Sequence, residues 1–273
     1  MIQSLRIPPK TKLSVSTTSG RYKRLLLTSS LKRDTLSAHA EIENGSLINQ
    51  ILAGKREPAR RSLVTSGKIS QQEFERRTKQ FKKVYIAALQ AQYGFELALE
   101  NALDKSLLGK KVRAALALPD PDTYASQFIE VDMQVLGQAP LFTKMELPEY
   151  RTIPEAIGGL YVRIGSRMGG LIIAKNVRQI LGIDATSGAQ FYGLYGKDTN
   201  LVFAEFLKGA DSYTQDPSDI HTAVSFANKT FRTVGLWQQR VYTQEIPEIV
   251  QAHRPSKLVQ TGKMIGRWFL QDV

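Results

Sequence analysis

The 273-residue chain has no cysteine. That excludes a disulfide framework, a thiolate zinc site, a cysteine nucleophile and an iron–sulfur cluster held by thiolates. Histidine is scarce: His39, His221 and His253 are the only imidazoles. No His-Glu-x-x-His, no Glu-x-x-His and no paired inward carboxylates are read from the pattern, so a zinc or di-iron site has no support. Neither a Gly-x-Ser-x-Gly elbow nor a phosphate-cradling loop occurs. No apolar run approaches the roughly 18 residues of a membrane span, and the N-terminus lacks the apolar core of a secretory signal. Residues 1–33 contain no Asp or Glu. This composition fits a plain basic tail on a cytoplasmic protein, or alternatively an organellar transit segment.

What is abundant is positive charge. A formal net charge of +12 calls for an anionic partner, whether nucleic acid, acidic protein, membrane surface or a carboxylate ligand. The densest basic run, Arg76, Arg77, Lys79, Lys82 and Lys83, has few interleaved aromatics and reads as a solvated helix face, which argues against nucleic acid.

Apolar residues recur at helical spacing almost everywhere and period-two alternation is nearly absent, so the sequence predicts an all-α, single-domain bundle over residues 28–240. A basic extension, 1–27, and a basic tail, 241–273, flank it. The first helix is expected from an N-cap at Ser29 or Ser30 to about Gly45, followed by a short apolar piece at 47–52. Gly, Pro and charge then mark 53–68 as a loop or insertion. A long helix opens at Ser70, where Ser70 and Glu73 have the spacing of a capping box, and a bend is possible at Gly94. Further helices are expected over 124–136, from Thr152 to Gly182, and over about 199–212 and 217–240.

The Thr152–Gly182 helix carries Gly158, Gly159, Gly165, Gly169 and Gly170. Each glycine costs about 1 kcal/mol relative to Ala inside a helix. Gly165 and Gly169 lie one turn apart and strip one face to bare backbone. Close helix packing explains that as well as a flat ligand does, and spacing alone does not choose. His39, four residues after Thr35 on the inner edge of the first helix, reads by itself as an ordinary core or boundary residue.

The stretches "LKRDTLSAHAEIE", "GGLYVRIGSRMGG" and "AVSFANKTF", in that order across residues 28–240, resemble the haem oxygenase family, in particular its bacterial-type members. The resemblance implies an enzyme that takes haem as cofactor and substrate and opens it to biliverdin with release of carbon monoxide and ferrous iron. It implies dioxygen and electrons from a donor such as ferredoxin or a flavin reductase. It makes His39 the proximal iron ligand and Gly165 and Gly169 the kinked distal helix beside the macrocycle. Gly170 and Tyr161 become haem neighbours, and Lys32 and Lys175 alternative propionate partners that imply different haem orientations. Some family members carry an Asp after the first distal glycine to organise water; this chain has Ser166. A haem carrier without turnover and a haem-free protein binding acidic partners are the rival readings. The insertion at 53–68 and both tails fall outside the resemblance.

Overall fold

The computed structural model describes residues 26–45, 51–52, 59, 61–116, 118, 124–141, 145–184, 186–214 and 216–252. Among them no strand occurs, and the architecture is all-α as the periodicity predicts. The order is α1 (Leu27–Asp34), α2 (Leu36–Gly45), α3 (Arg61–Thr65), α4 (Gln71–Leu99), a π-helical turn (Glu100–Asp104), α5 (Leu107–Leu116), α6 (Ala125–Val135) and α7 (Ile153–Leu181). Two 3-10 turns (Phe191–Gly193, Gly196–Asp198), α8 (Thr199–Tyr213), α9 (Pro217–Glu245) and α10 (Pro247–Ala252) follow.

Helix boundaries follow local chemistry where a side chain can satisfy a backbone group nearby. The Thr152 hydroxyl accepts from the Glu155 amide while the Glu155 carboxylate accepts from the Thr152 amide, a complete capping box at the start of α7. At its other end Gly182 takes φ 71°, the left-handed stop that a side chain disfavours. At α4 only half of the expected box forms. Ser70 accepts from the Glu73 amide, but the Glu73 carboxylate turns to Arg76 and Arg77 at 2.7 and 2.6 Å. Two guanidiniums outcompete one amide for the same oxygens.

The expected first helix is two helices. α1 begins earlier, after Leu26, with no side-chain cap from its own residues. Instead Asp211 of α8 accepts from the Thr28 amide and hydroxyl at 2.8 and 2.6 Å, a cap supplied by tertiary structure. The chain breaks at Thr35, whose hydroxyl donates back to the Leu31 carbonyl at 2.6 Å. Residues 107–116, unassigned from sequence, form α5, and the expected loop at 53–68 contains the short helix α3, its residues 53–58 and 60 lying outside the described ones. Of the apolar piece 47–52, Ile51 and Leu52 are described and buried.

Three 29-residue helices, α4, α7 and α9, form the centre. Their closest approaches use small residues. A Cβ at Gly94 would lie 2.4 Å from the Trp237 ring, and the Trp237 indole donates to the Ala91 carbonyl at 2.8 Å. α2 and α7 both pack on α9, which stands between the two segments that the sequence reading singles out.

Candidate functional site

The five glycines of α7 fall into two groups with different physical reasons. A Cβ at Gly158 would come within 2.4 Å of the Ala223 carbonyl oxygen on α9, and one at Gly159 within 2.7 Å of the Tyr150 ring. A Cβ at Gly170 would meet Tyr192 at 3.3 Å. At Gly158 and Gly159 a neighbour is too close for a side chain, and at Gly170 Tyr192 would have to give by a few tenths of an ångström. Gly165 is different: its Cβ would meet only the Phe203 ring, at an ordinary 3.6 Å, and at Gly169 nothing lies within 4 Å. No packing constraint demands glycine at 165 or 169, and α7 remains α-helical through both.

At about 100° per residue, Tyr161, Gly165, Met168, Gly169 and Ile172 share one face of α7. Tyr161 is buried, Gly165, Met168 and Ile172 are half-buried and Gly169 is exposed. The result is an apolar strip with bare backbone at its centre. Rings connect this strip to α2. Phe203 faces Tyr161 at 6.0 Å between centroids, Tyr161 meets Phe231 of α9 at 6.3 Å, and Phe231 meets the half-buried His39 edge-on at 5.3 Å. Burial pushes the Tyr161 hydroxyl above its ordinary value, with Thr35 partly opposing. The structure thus brings His39, Tyr161 and Gly165 together through two phenylalanines, Phe203 and Phe231, that the sequence reading does not assign to the site.

The remaining predicted residues sit apart from this chain of rings. Gly170 is on the far side of α7, against Tyr192. Ser166 is exposed, its hydroxyl donating to the Arg163 carbonyl at 2.7 Å. Lys32 is half-buried in the last turn of α1 and Lys175 is exposed along α7. His221 is exposed at the start of α9, and His253 lies outside the described residues.

Behind α7 is a feature that contradicts the expectation of no paired inward carboxylates. Glu96, Glu100 and Asp104 are all buried, at 0%, 1% and 8% exposure. Arg163 donates to Glu96 and Asp104 at 2.8 Å each and approaches Glu100 at 3.7 Å. Arg167 donates to Glu96 at 2.7 Å, and Arg113 also bonds Asp104. Burial works against the Arg163 charge, yet Glu96, Asp104 and Glu100 together hold its pKa above the ordinary arginine value. Burial likewise pushes the Glu100 carboxyl up against the pull of Ser126, which donates through amide and hydroxyl at 2.9 and 2.5 Å. The four-residue spacing of the acids is visible in the sequence, but it is equally the spacing of a solvated face. Among the described residues no cluster of His, Asp and Glu is arranged to hold a metal ion.

The residues at the front of α7 fit haem: a half-buried imidazole on one element, and on another an apolar strip whose centre lacks side chains where a Cβ would meet little or nothing. Residues 25–240 match the family described as heme oxygenase, and the chain belongs to that family. Among solved structures it resembles the NO- and CO-bound heme oxygenase of Neisseria meningitidis, with a TM-score of 0.57 and 18% identity, covering 80% of this chain and 92% of that one. That likeness establishes the shared all-α fold. No curated protein gives a match.

Proposed function

We propose that the protein opens haem oxidatively to biliverdin, releasing carbon monoxide and ferrous iron, with dioxygen and electrons from ferredoxin or a flavin reductase. The observation that carries this reading is the bare backbone at Gly165 and Gly169, unexplained by packing and linked to His39 through Phe231, Tyr161 and Phe203. Haem, when bound, supplies both the iron that takes dioxygen and the ring that is cleaved. His39 holds the iron through an imidazole nitrogen. Gly165 and Gly169 would let the helix backbone approach the macrocycle, and the rings of Phe203, Tyr161 and Phe231 would shield it from water.

Ser166 has its single hydroxyl hydrogen committed to the Arg163 carbonyl, so its remaining capacity is to accept. It serves as an acceptor that orients a water near the distal face, in place of an acidic group. Lys32 or Lys175 would anchor a propionate, the two implying different haem orientations. Gly170 acts indirectly, by letting α7 rest on Tyr192. The excess positive charge steers an acidic donor towards the protein. No helix among the described residues is long and apolar enough to cross a membrane, and we place the protein in the cytoplasm.

The test is turnover. The ferric complex, given dioxygen with ferredoxin or ascorbate, is expected to lose its Soret band and yield biliverdin and carbon monoxide, with catalase making no difference. His39→Ala is expected to stay folded while losing the spectrum of a His-ligated haem. An intact macrocycle after repeated reduction and oxygenation assigns the protein as a haem carrier instead.

A further inference from the structure

Arg163 and Arg167 stand two residues on either side of Gly165, and both point roughly 160° away from it around the helix at about 100° per residue. They are the reverse of the bare face. Each is gripped from more than one direction. Arg163 reaches Glu96 through Nε and Asp104 through Nη1, so its planar fork spans two carboxylates about two helical turns apart in α4 and the π turn. Arg167 bonds Glu96 and lies over the Phe191 ring at 4.3 Å.

The carboxylates are themselves immobilised. Ser126 holds Glu100, Arg113 holds Asp104, and Asp132 holds the turn bearing Phe191 by accepting from the Gln190 and Phe191 amides at 2.7 and 2.9 Å. The π turn has its own part. Acids four apart in an α-helix drift by about 40° per step, and widening the turn after Leu99 offsets that drift, keeping Asp104 on the side of Glu96.

We propose that Arg163 and Arg167 are positioning residues that fix the roll of α7 about its axis, so that the backbone at Gly165 and Gly169 meets a bound macrocycle at one angle. The inference rests on the haem reading. At Gly165 and Gly169 the contact face offers no side chain to resist rotation. The resistance comes from behind, from charge-assisted bonds whose geometry is directional. The consequence is selectivity: the angle at which the distal backbone would meet the ring decides which edge dioxygen is directed towards, so the clamp would choose among product isomers.

Arg167→Lys keeps the charge and loses both the planar fork and the stacking on Phe191. In this variant the minor biliverdin isomers are expected to rise at least threefold, with an altered ferric-haem spectrum. In the ligand-free protein, amide exchange at 163–170 should quicken about tenfold while that at 153–158 stays put. Thr152→Ala, which weakens α7 at its cap without touching the clamp, is the control and should leave the isomer ratio unchanged. Glu100→Gln provides a second variant should Arg167→Lys not accumulate as folded protein, with the same expected change in isomers.

Wild-type isomer ratios and spectra in both variants would overturn the inference alone. So would an equal isomer shift in Thr152→Ala, which would reduce the clamp to general stability. Failure of the wild-type chain to bind haem overturns the proposed function together with this inference.

Discussion

A glycine in a helix is explained only when its missing Cβ is placed in three dimensions. Gly158 and Gly169 have the same chemistry and opposite reasons. Gly158→Ala drives a methyl into the Ala223 carbonyl and the Ala227 amide, at 2.4 and 2.7 Å. Overpacking of that kind costs about 1–3 kcal/mol, to be read as a lowered urea midpoint. Gly169→Ala meets nothing within 4 Å. It is expected to be neutral or to stabilise the ligand-free protein by up to about 1 kcal/mol through helix propensity. Gly169→Leu should then obstruct oxygen binding and turnover far more than it lowers the melting temperature. An equal loss of folding and activity in Gly169→Leu would show that the position serves packing after all.

The propionate assignments also belong to single residues. Lys175 is exposed and Lys32 half-buried, and exposed pairs contribute only about 0–1 kcal/mol, so each Ala change is expected to weaken haem binding modestly. The double variant Lys32→Ala, Lys175→Ala should alter the biliverdin isomer mixture, because the propionates fix rotation of a nearly symmetric disc. An unchanged mixture removes both residues from the site.

At the scale of the element, the start of α4 makes a pH prediction. Side-chain bonds from Arg76 and then Arg77 lower the Glu73 carboxyl from 4.5 to about 2. The folded chain therefore binds fewer protons here than the unfolded chain between those values. The stabilisation is fully present above about 4.5 and is lost as the pH falls towards about 2. Denaturation of wild type and Glu73→Gln across this range should show a difference that is constant at neutral pH and shrinks on acidification. A difference independent of pH would mean that the two guanidiniums do not hold this carboxylate in solution.

The elements also show why some boundaries are legible and others are not. The ends of α7 depend on Thr152, Glu155 and Gly182, all within a turn of the groups they satisfy. The start of α1 depends on Asp211, 183 residues away from Thr28, and no local pattern announces it. α5 was unread for a related reason: its buried face is short, only Gly109, Val112 and Leu116, and it is completed by α8, where Gly209 admits Leu116.

For the whole molecule, the net charge of +12 predicts how an electron donor is found. Raising ionic strength from about 0.01 to 0.1 M shortens the screening length from about 30 to 10 Å. Turnover driven by an acidic protein donor should fall severalfold over that range, while turnover driven by ascorbate changes much less. Equal salt dependence with both donors would locate the rate-limiting step beyond the encounter.

By itself the sequence determined the all-α class, the extents of α6, α7 and α8 and the lack of any thiolate chemistry, because helical period, caps and residue type act over a few residues; His39 stands out as a candidate ligand only through the family resemblance. Only the tertiary structure decided which glycines are covered and which are bare, and that Phe203 and Phe231 join α7 to α2. It alone turned three acids on α4 and the π turn inward to grip Arg163 and Arg167. The reason is that covering a face or pairing a buried charge requires a partner from elsewhere in the chain, and the spacing of residues along one helix is the same whether that partner arrives or not.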